Sequence, residues 1–174
     1  MKELLTGIPG VGKSTVLREV LKGYKGQIRG VITEEIRDSE GKRVGFEVVN
    51  FKKDQKLLAH KTSVVSDSSI GDYKVDIGVI EQFVVPELEK GITGFGGLVI
   101  VDEIGRMQAL SKTFLMTLEN LFDSDAHILA TIVYDPEPWS LQYKHRSDVT
   151  VIEVTEQNRN LLPEQILLKL KTLS

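Results

Sequence analysis

Residues 7–14 read Gly7-Ile8-Pro9-Gly10-Val11-Gly12-Lys13-Ser14, and this stretch decides the fold. A glycine, four free positions and Gly-Lys-Ser make the spacing of a phosphate-binding P-loop. Several backbone N–H groups must converge on one phosphate, and glycines let the chain curl tightly enough for that. Lys13 can then reach the β- and γ-phosphates, and the hydroxyl of Ser14 can ligate Mg²⁺.

The residues on either side of this stretch have the order that a P-loop requires. Residues 2–6 are predicted to form a short strand. Apolar residues recur at helical spacing over residues 14–22, so a helix is expected there, ending at Gly23. The N-terminus of that helix would add its dipole to the anion site. The alternative is an ordinary glycine turn between a strand and a helix.

Composition limits the classes of protein that the chain can represent. Its 174 residues are expected to form one domain, residues 1–174, with 41% hydrophobic and 27% charged residues. The net charge of -3 provides no overall basic field, so nucleic acid is not an expected partner. The absence of cysteine excludes disulfides and thiolate metal sites.

No membrane partner is expected either. Met1 leads directly into the first predicted strand, which does not resemble a signal peptide, and no apolar run reaches membrane-spanning length. We therefore expect a cytoplasmic protein that acts as a monomer.

The rest of the chain alternates between strands and helices. This pattern predicts an α/β fold with a largely parallel sheet flanked by helices. Further strands are expected at residues 27–35, 98–103, 127–134 and 149–154, and further helices at about 76–90, 111–122 and 161–170. Pro86 should kink or divide the first of these helices, and Gly91 should end it.

Residues 36–60 are predicted to form an antiparallel hairpin insert, because parallel strands would need crossover helices. Its return strand is expected at residues 44–50, followed by a charged turn at 52–56 and a short strand at 57–60. In the strand before the insert, Gly30 is expected where another backbone approaches closely. Loops are expected at residues 66–69 and 135–139.

Two acidic residues, Asp102 and Glu103, end an apolar strand where a Walker B aspartate lies. Asp102 would hold Mg²⁺, and Glu103 would polarise a water molecule against the γ-phosphate. An Asp-Glu pair at a strand end can also be a solvated turn. The chain has no Asn-Lys-x-Asp segment for reading guanine, which argues against a switch-type GTPase. A water-activating Glu next to the Walker B Asp favours hydrolysis.

A positive charge is needed where the transition state spreads charge over the γ-oxygens. Arg106 is the first candidate because it follows the acid pair closely, and Lys144 and Arg146 are the others. Each is also compatible with an ordinary surface position. Thr131 could sense the γ-phosphate from a neighbouring strand or could simply favour strand formation.

Base-contacting residues are less well defined by the sequence. Trp139, Tyr134 and Tyr143 could stack on a base or pack within the protein. Asn158 and Arg159 are further candidates, in the loop after the last strand. The three histidines, His60, His127 and His145, have no metal-ligand spacing, so a zinc site is not expected.

Five segments together carry a family resemblance over nearly the whole chain. They are residues 7–14, residues 33–37, residues 41–46, the segment Asp102-Glu103-Ile104-Gly105-Arg106-Met107, and residues 153–163. The chain resembles the small P-loop nucleoside triphosphatases that include the cancer-related nucleoside triphosphatase and its thermophile homologues. Gln108 stands where that family usually has Glu.

The resemblance implies a RecA-like or kinase-like P-loop fold. It also implies Mg²⁺-dependent hydrolysis of ATP, GTP, CTP and UTP to the diphosphate, with broad base tolerance. By position, Lys13, Glu103 and Arg106 are the predicted catalytic residues, and Ser14 and Asp102 the metal ligands. The predicted nucleotide-binding residues are Gly7, Ile8, Pro9, Gly10, Val11, Gly12, Lys13, Ser14, Thr15, Leu98, Val99, Ile100, Val101, Asp102, Glu103, Ile104 and Gly105.

Two alternatives remain open at this stage. A nucleotide or nucleoside kinase has a similar P-loop and size, but it needs a closing lid, often rich in arginine. A nucleotide-dependent module that binds nucleic acid is the non-enzymatic alternative, and it would bind single strands in a salt-sensitive way.

Overall fold

The structure is a computed structural model, and it describes residues 1–172. This part of the chain contains nine strands and six α-helices. The strands are β1 (Lys2–Thr6), β2 (Ile28–Arg37), β3 (Arg43–Asn50), β4 (Gln55–His60), β5 (Ser69–Ile70), β6 (Tyr73–Val75), β7 (Leu98–Ile104), β8 (His127–Ile132) and β9 (Thr150–Glu153). The helices are α1 (Lys13–Gly23), α2 (Ile77–Val79), α3 (Val85–Ile92), α4 (Lys112–Asp123), α5 (Pro138–Lys144) and α6 (Leu162–Lys171).

All nine strands belong to one mixed sheet, in the order β5-β6-β4-β3-β2-β7-β8-β1-β9. From β2 to β9, neighbouring strands are parallel, and from β2 to β5 they are antiparallel. The predicted α/β class, the parallel sheet and the antiparallel insert are therefore confirmed. The insert is larger than predicted, because it also includes the two short strands β5 and β6.

The parallel strands are buried on both faces. Residues 98–101 of β7 are all 0% exposed, which explains why they form an unbroken apolar run. Successive side chains of a strand point to opposite faces. Val99 and Val101 accordingly pack with α3 and α4, whereas Leu98 and Ile100 pack with α1 and α6. The sheet is thus covered on both sides, and its strand ends remain available for a site.

Several predicted boundaries are wrong. The helix predicted at 76–90 runs from Ile77 to Ile92, so it ends one residue beyond Gly91. Its middle part, Ile80–Val84, is π-helical. Pro86 lies in the first turn of α3, directly after this π-helical segment. Strand β8 ends at Ile132, two residues before the predicted end. The loop predicted after residue 134 contains helix α5, which buries Tyr143.

No helix within residues 1–172 is both long enough and apolar enough to cross a membrane.

Gly30 lies where two backbones approach closely, as its strand context predicts. Its φ is 102°, and a Cβ added there would lie 1.9 Å from the carbonyl oxygen of Ile100 on the neighbouring strand β7. This contact helps to determine how β2 lies against β7, the strand that carries the acid pair.

We expect Gly30→Ala to lower the free energy of unfolding by about 3 kcal/mol or more, because strain in the left-handed region and a backbone clash add together. Gly41→Ala is the matched control. Gly41 also has a positive φ, of 76°, but nothing lies within 4 Å of an added Cβ. The control should lose only about 1 kcal/mol. Urea denaturation measures both variants, and equal losses would contradict the role of the close approach.

Candidate active site

The glycine-rich loop joins β1 to α1 at the carboxyl edge of the parallel strands. Gly7 has a φ of 146°, and a Cβ added to it would lie 2.7 Å from the carbonyl oxygen of Val154. Gly12 caps α1 with a φ of 113°. Both conformations favour glycine, and they leave the first N–H groups of α1 directed into the loop.

Lys13 lies across the mouth of this loop. Its Nζ donates hydrogen bonds to the carbonyl oxygens of Gly7, at 2.8 Å, and Ile8, at 3.2 Å. Burial lowers the pKa of Lys13, and the carboxylates of Glu103 and Asp102 oppose that shift. The lysine is therefore within electrostatic reach of both acidic residues.

Asp102 connects the glycine-rich loop to two strands. Its Oδ1 accepts hydrogen bonds from Ser14 Oγ at 3.0 Å and from Thr131 Oγ1 at 2.5 Å. Burial raises the pKa of Asp102, and the two hydroxyl groups oppose the shift. Ser14 and Asp102 lie 88 positions apart in the sequence, and the fold brings them into direct contact.

The second oxygen of this carboxylate, Oδ2, is buried without a hydrogen-bond partner among residues 1–172. An unpaired carboxylate oxygen beside a serine hydroxyl is the kind of oxygen donor set that Mg²⁺ prefers, since this ion uses few protein ligands and keeps several waters. The residues at this point therefore fit the predicted magnesium ion.

Glu103 faces the same space. Burial and the neighbouring charge of Asp102 raise its pKa, and the positive charges of Lys13 and Arg43 oppose the shift. In the described part of the chain, no hydrogen-bond donor contacts its carboxylate. A carboxylate with a raised pKa and no competing donor is suited to accept a proton.

A cleft of about 520 Å³ unites the glycine-rich loop with the acid pair. This volume lies in the range of small-molecule sites. The wall opposite the loop comes from β2 and β3, where Thr33, Arg43 and Phe46 line it. The two predicted motifs thus share one site, whose far side is built by the antiparallel insert.

The three candidate cations occupy different places. Arg106 lines the cleft and is paired with Glu137 Oε1 at 2.7 Å and Asp135 Oδ2 at 2.6 Å. The Nζ of Lys144 bonds to the carbonyl oxygens of Val133 and Tyr134, at the end of the strand next to the cleft. Arg146 is instead bound to residues outside the cleft, which are Phe122, Asp123 and Asp148.

Other predicted residues lie away from the cleft or have structural partners. The side chains of residues 98–101 and Ile104 are fully buried, so they position the acid pair from within the core. Tyr143 is also in the core, while Tyr134 lines the cleft. The amide of Asn158 is engaged by the backbone of its own loop.

A second, smaller groove of about 370 Å³ lies beside the start of α1. Arg159 and Asn160 line it, together with Gly12, Thr15 and Glu19. Arg159 also donates to the carbonyl oxygen of Val11 at 3.1 Å, so it is fixed against the glycine-rich loop.

Several residues that line the main cleft have no role assigned from the sequence, among them Thr33, Arg43, Phe46 and Gln108. Thr33 lies on β2, and Arg43 and Phe46 lie on β3; these three belong to segments that carry the family resemblance, but no chemical motif assigns them a function. Gln108 was visible as the residue after Asp102-Glu103-Ile104-Gly105-Arg106-Met107, but nothing in the sequence indicates which way its amide points.

A Gly-Lys-Ser loop at a helix N-terminus, with its serine joined to the aspartate of a parallel strand, is the arrangement of P-loop nucleotide-binding proteins. The family described as NTPase matches residues 2–167, and the chain belongs to this family. The predicted family and P-loop fold are therefore confirmed.

Similar proteins cover nearly the whole chain. "Nucleoside-triphosphatase THEP1" of Thermotoga sp. (strain RQ2) is 37% identical over 171 residues, which cover 98% of this chain and 96% of the relative. The "Cancer-related nucleoside-triphosphatase homolog" of Bos taurus is 34% identical, with 92% of each chain covered. The crystal structure of THEP1 from Aquifex aeolicus matches with a TM-score of 0.88 and 29% identity, covering 98% of this chain and 99% of that one.

We expect Lys13→Ala to weaken the binding of a nucleoside triphosphate by about 10- to 100-fold, because a charge-assisted hydrogen bond to phosphate is lost. Titration with a fluorescent, slowly hydrolysed analogue measures the affinity. Lys22→Ala is the control, since Lys22 lies on the same helix and pairs with Glu19 at the surface. Equal affinities of the Lys13 variant and the control would remove Lys13 from the site.

Proposed function

We propose that the protein hydrolyses nucleoside triphosphates to nucleoside diphosphates and phosphate. The observation that carries this proposal is the position of Glu103, whose unpaired carboxylate faces the cleft that the glycine-rich loop and Lys13 also line. The relatives named nucleoside-triphosphatase support the same reaction.

The phosphate chain would bind along the loop. The first N–H groups of α1 and the ammonium of Lys13 provide positive charge for the β- and γ-phosphates. Ser14 and Asp102 would hold Mg²⁺, which neutralises charge on these phosphates when it is bound. The hydrogen bond between Ser14 and Asp102 keeps both ligands close together for this purpose.

Glu103 would act on the attacking water. The water oxygen bonds to the γ-phosphorus while its proton passes to the Glu103 carboxylate, and the bond to the β-phosphate oxygen breaks to release the diphosphate. Negative charge spreads over the γ-oxygens during this step. Arg106, at the edge of the same cleft, is the residue that we propose to stabilise that charge.

The groove beside α1 is the proposed binding place for the nucleoside. The solvent exposure of its polar side chains supports broad base tolerance. Its polar side chains, Thr15, Glu19, Arg159 and Asn160, are all exposed to solvent. Strong discrimination between bases requires buried polar groups that a wrong base leaves unpaired. Exposed groups impose no such penalty, so ATP, GTP, CTP and UTP should all be substrates.

The cellular setting follows from the substrate. Nucleoside triphosphates and Mg²⁺ occur together in the cytoplasm, which we propose as the compartment. One chain supplies all the residues of the proposed mechanism, so we further propose that the monomer is active.

Incubation with ATP, Mg²⁺ and a mixture of nucleosides distinguishes hydrolysis from kinase activity. Free phosphate formed in equal amount to ADP, with no phosphorylated nucleoside, supports the proposal. A phosphorylated acceptor identifies a kinase instead.

We expect Glu103→Gln to lower kcat by about 10²-fold or more, the scale of removing a general base, while the affinity for nucleotide is retained. Glu119→Gln is the control, because Glu119 is exposed on α4 and lies outside both grooves. Phosphate release at saturating ATP measures kcat. An unchanged kcat in the Glu103 variant would refute the assigned role.

Arg106→Ala should lower kcat by about 10²-fold with little change in the affinity for nucleotide, because a donor that acts on the transition state is lost. Arg106→Lys keeps the positive charge and should recover part of kcat, although it loses the planar fork. Steady-state kinetics of the three proteins test this. If the alanine variant keeps the kcat of the unmodified protein, Arg106 serves only its ion pairs with Asp135 and Glu137.

A further inference from the structure

Two oxygen atoms from different side chains converge beside Gly105. A Cβ added to Gly105 would lie 2.7 Å from Glu103 Oε1 and 2.9 Å from Gln108 Oε1. Both distances are too short for a carbon contact, so a side chain would not fit at this position unless the two oxygens moved. The absence of a side chain at Gly105 therefore lets both oxygens lie close to the same point of its backbone, and both side chains also line the cleft.

The amide nitrogen of Gln108 lies against Thr33. Gln108 is only 4% exposed, and its Nε2 donates to Thr33 Oγ1 at 3.3 Å. Its Oε1 is buried and has no hydrogen-bond partner within residues 1–172. An amide oxygen left in this state lowers the stability of the folded protein, so such an atom calls for a donor that binds there.

Neither oxygen can satisfy the other. An ionised carboxylate and an amide oxygen are both acceptors, and in the described residues no donor reaches Glu103 or the Gln108 oxygen. A single small molecule with two hydrogens to donate would satisfy both atoms at once. Water is that molecule, and hydrolysis requires one here.

We propose that Gln108 and Glu103 together hold the attacking water, and this inference rests on the hydrolysis proposed above. Gln108 Oε1 accepts one hydrogen of the water and keeps it bound. Glu103 accepts the other hydrogen and removes it as a proton while the water oxygen bonds to the γ-phosphorus. The electron pair of the breaking phosphorus–oxygen bond leaves with the diphosphate.

The neutral amide has a specific advantage in this position. Because an amide oxygen is a very weak base, it orients the water without competing for the proton. The two acceptors together fix both hydrogens, so a lone pair of the water oxygen is free to point away from them. Gln108 is on this account a catalytic residue, and Thr33 is a positioning residue that holds its amide.

The test combines two substitutions that remove the shared water in different ways. Gln108→Met keeps the length of the side chain but removes the acceptor. Gly105→Ala keeps both oxygens but displaces them from their positions, since the added methyl group would collide with them and they are the ends of flexible side chains. Each variant should lower kcat by about 10- to 100-fold, which is the scale of a misplaced reactant. Each variant should change the affinity for a slowly hydrolysed nucleotide by less than about 2-fold, because the phosphate-binding loop is intact.

The control is Gln165→Met, at an exposed glutamine on α6 that lies outside both grooves. This variant should keep the kcat of the unmodified protein. Melting temperatures of all variants verify that they are folded, and the Gly105 variant tests the inference if the Gln108 variant does not fold.

The decisive measurement is the double variant Glu103→Gln with Gln108→Met. If both residues act on one water, the second substitution should lower kcat by less than about 3-fold once Glu103 has been replaced, because residues that act as a unit are not additive. Independent losses that multiply would overturn the inference, as would a normal kcat in a folded Gln108→Met variant or, if that variant does not fold, in Gly105→Ala.

These results also separate the two proposals. A slow Glu103→Gln enzyme beside a fully active Gln108→Met enzyme overturns only the shared-water inference. Absence of phosphate release by the unmodified protein, or an unchanged kcat in Glu103→Gln, overturns the proposed hydrolysis itself.

Discussion

The hydrogen bonds that Asp102 accepts from Ser14 and Thr131 are the interaction on which the rest of the site depends. They join the end of β7 to the N-terminus of α1 and to β8. Their geometry requires β7 and β8 to be parallel neighbours, with Val101 opposite Ala130. A shift of β7 by one residue would turn Asp102 to the other face of the sheet, away from Ser14 and Thr131.

Buried side-chain oxygens without a hydrogen-bond partner lower the stability of the folded protein, and two of them belong to Asp102 and Gln108. Three buried side-chain oxygens lack a partner within residues 1–172, and two of them, Asp102 Oδ2 and Gln108 Oε1, line the cleft. The third belongs to Glu3, whose other oxygen is paired with Lys169 at 2.6 Å. Desolvated acceptors of this kind lower the stability of the folded protein, and they persist where a bound group completes them. The unpaired oxygens thus concentrate where a metal ion and a water are proposed to bind.

The sequence predicted the parts of the site that local chemistry specifies. The curl of residues 7–14 needs glycines at particular positions, and a strand buried on both faces needs an apolar run, so both leave a readable pattern. The opposite wall leaves none, because Thr33 and Arg43 come from strands that pair antiparallel and face the cleft only through tertiary packing. Strands of two or three residues, such as β5 and β6, are too short to show a period. The sequence predicts a loop in place of the start of helix α5 because prolines follow β8 as a stop signal, although proline is also favoured in the first turn of a helix, where Pro138 lies.

The choice between water and a second substrate as the phosphoryl acceptor depends on which cations remain available around the cleft. A kinase closes over its acceptor with mobile basic side chains that exclude water. Here the Nζ of Lys144 is bound to two carbonyl oxygens, and Arg43 is bound to Glu35 and to the hydroxyl of Tyr73. Recruiting either of these two residues for a lid would first break these contacts. Water needs no such closure, since an oriented carboxylate and one further acceptor are enough to hold it, so the arrangement of charge favours hydrolysis over transfer to a second substrate.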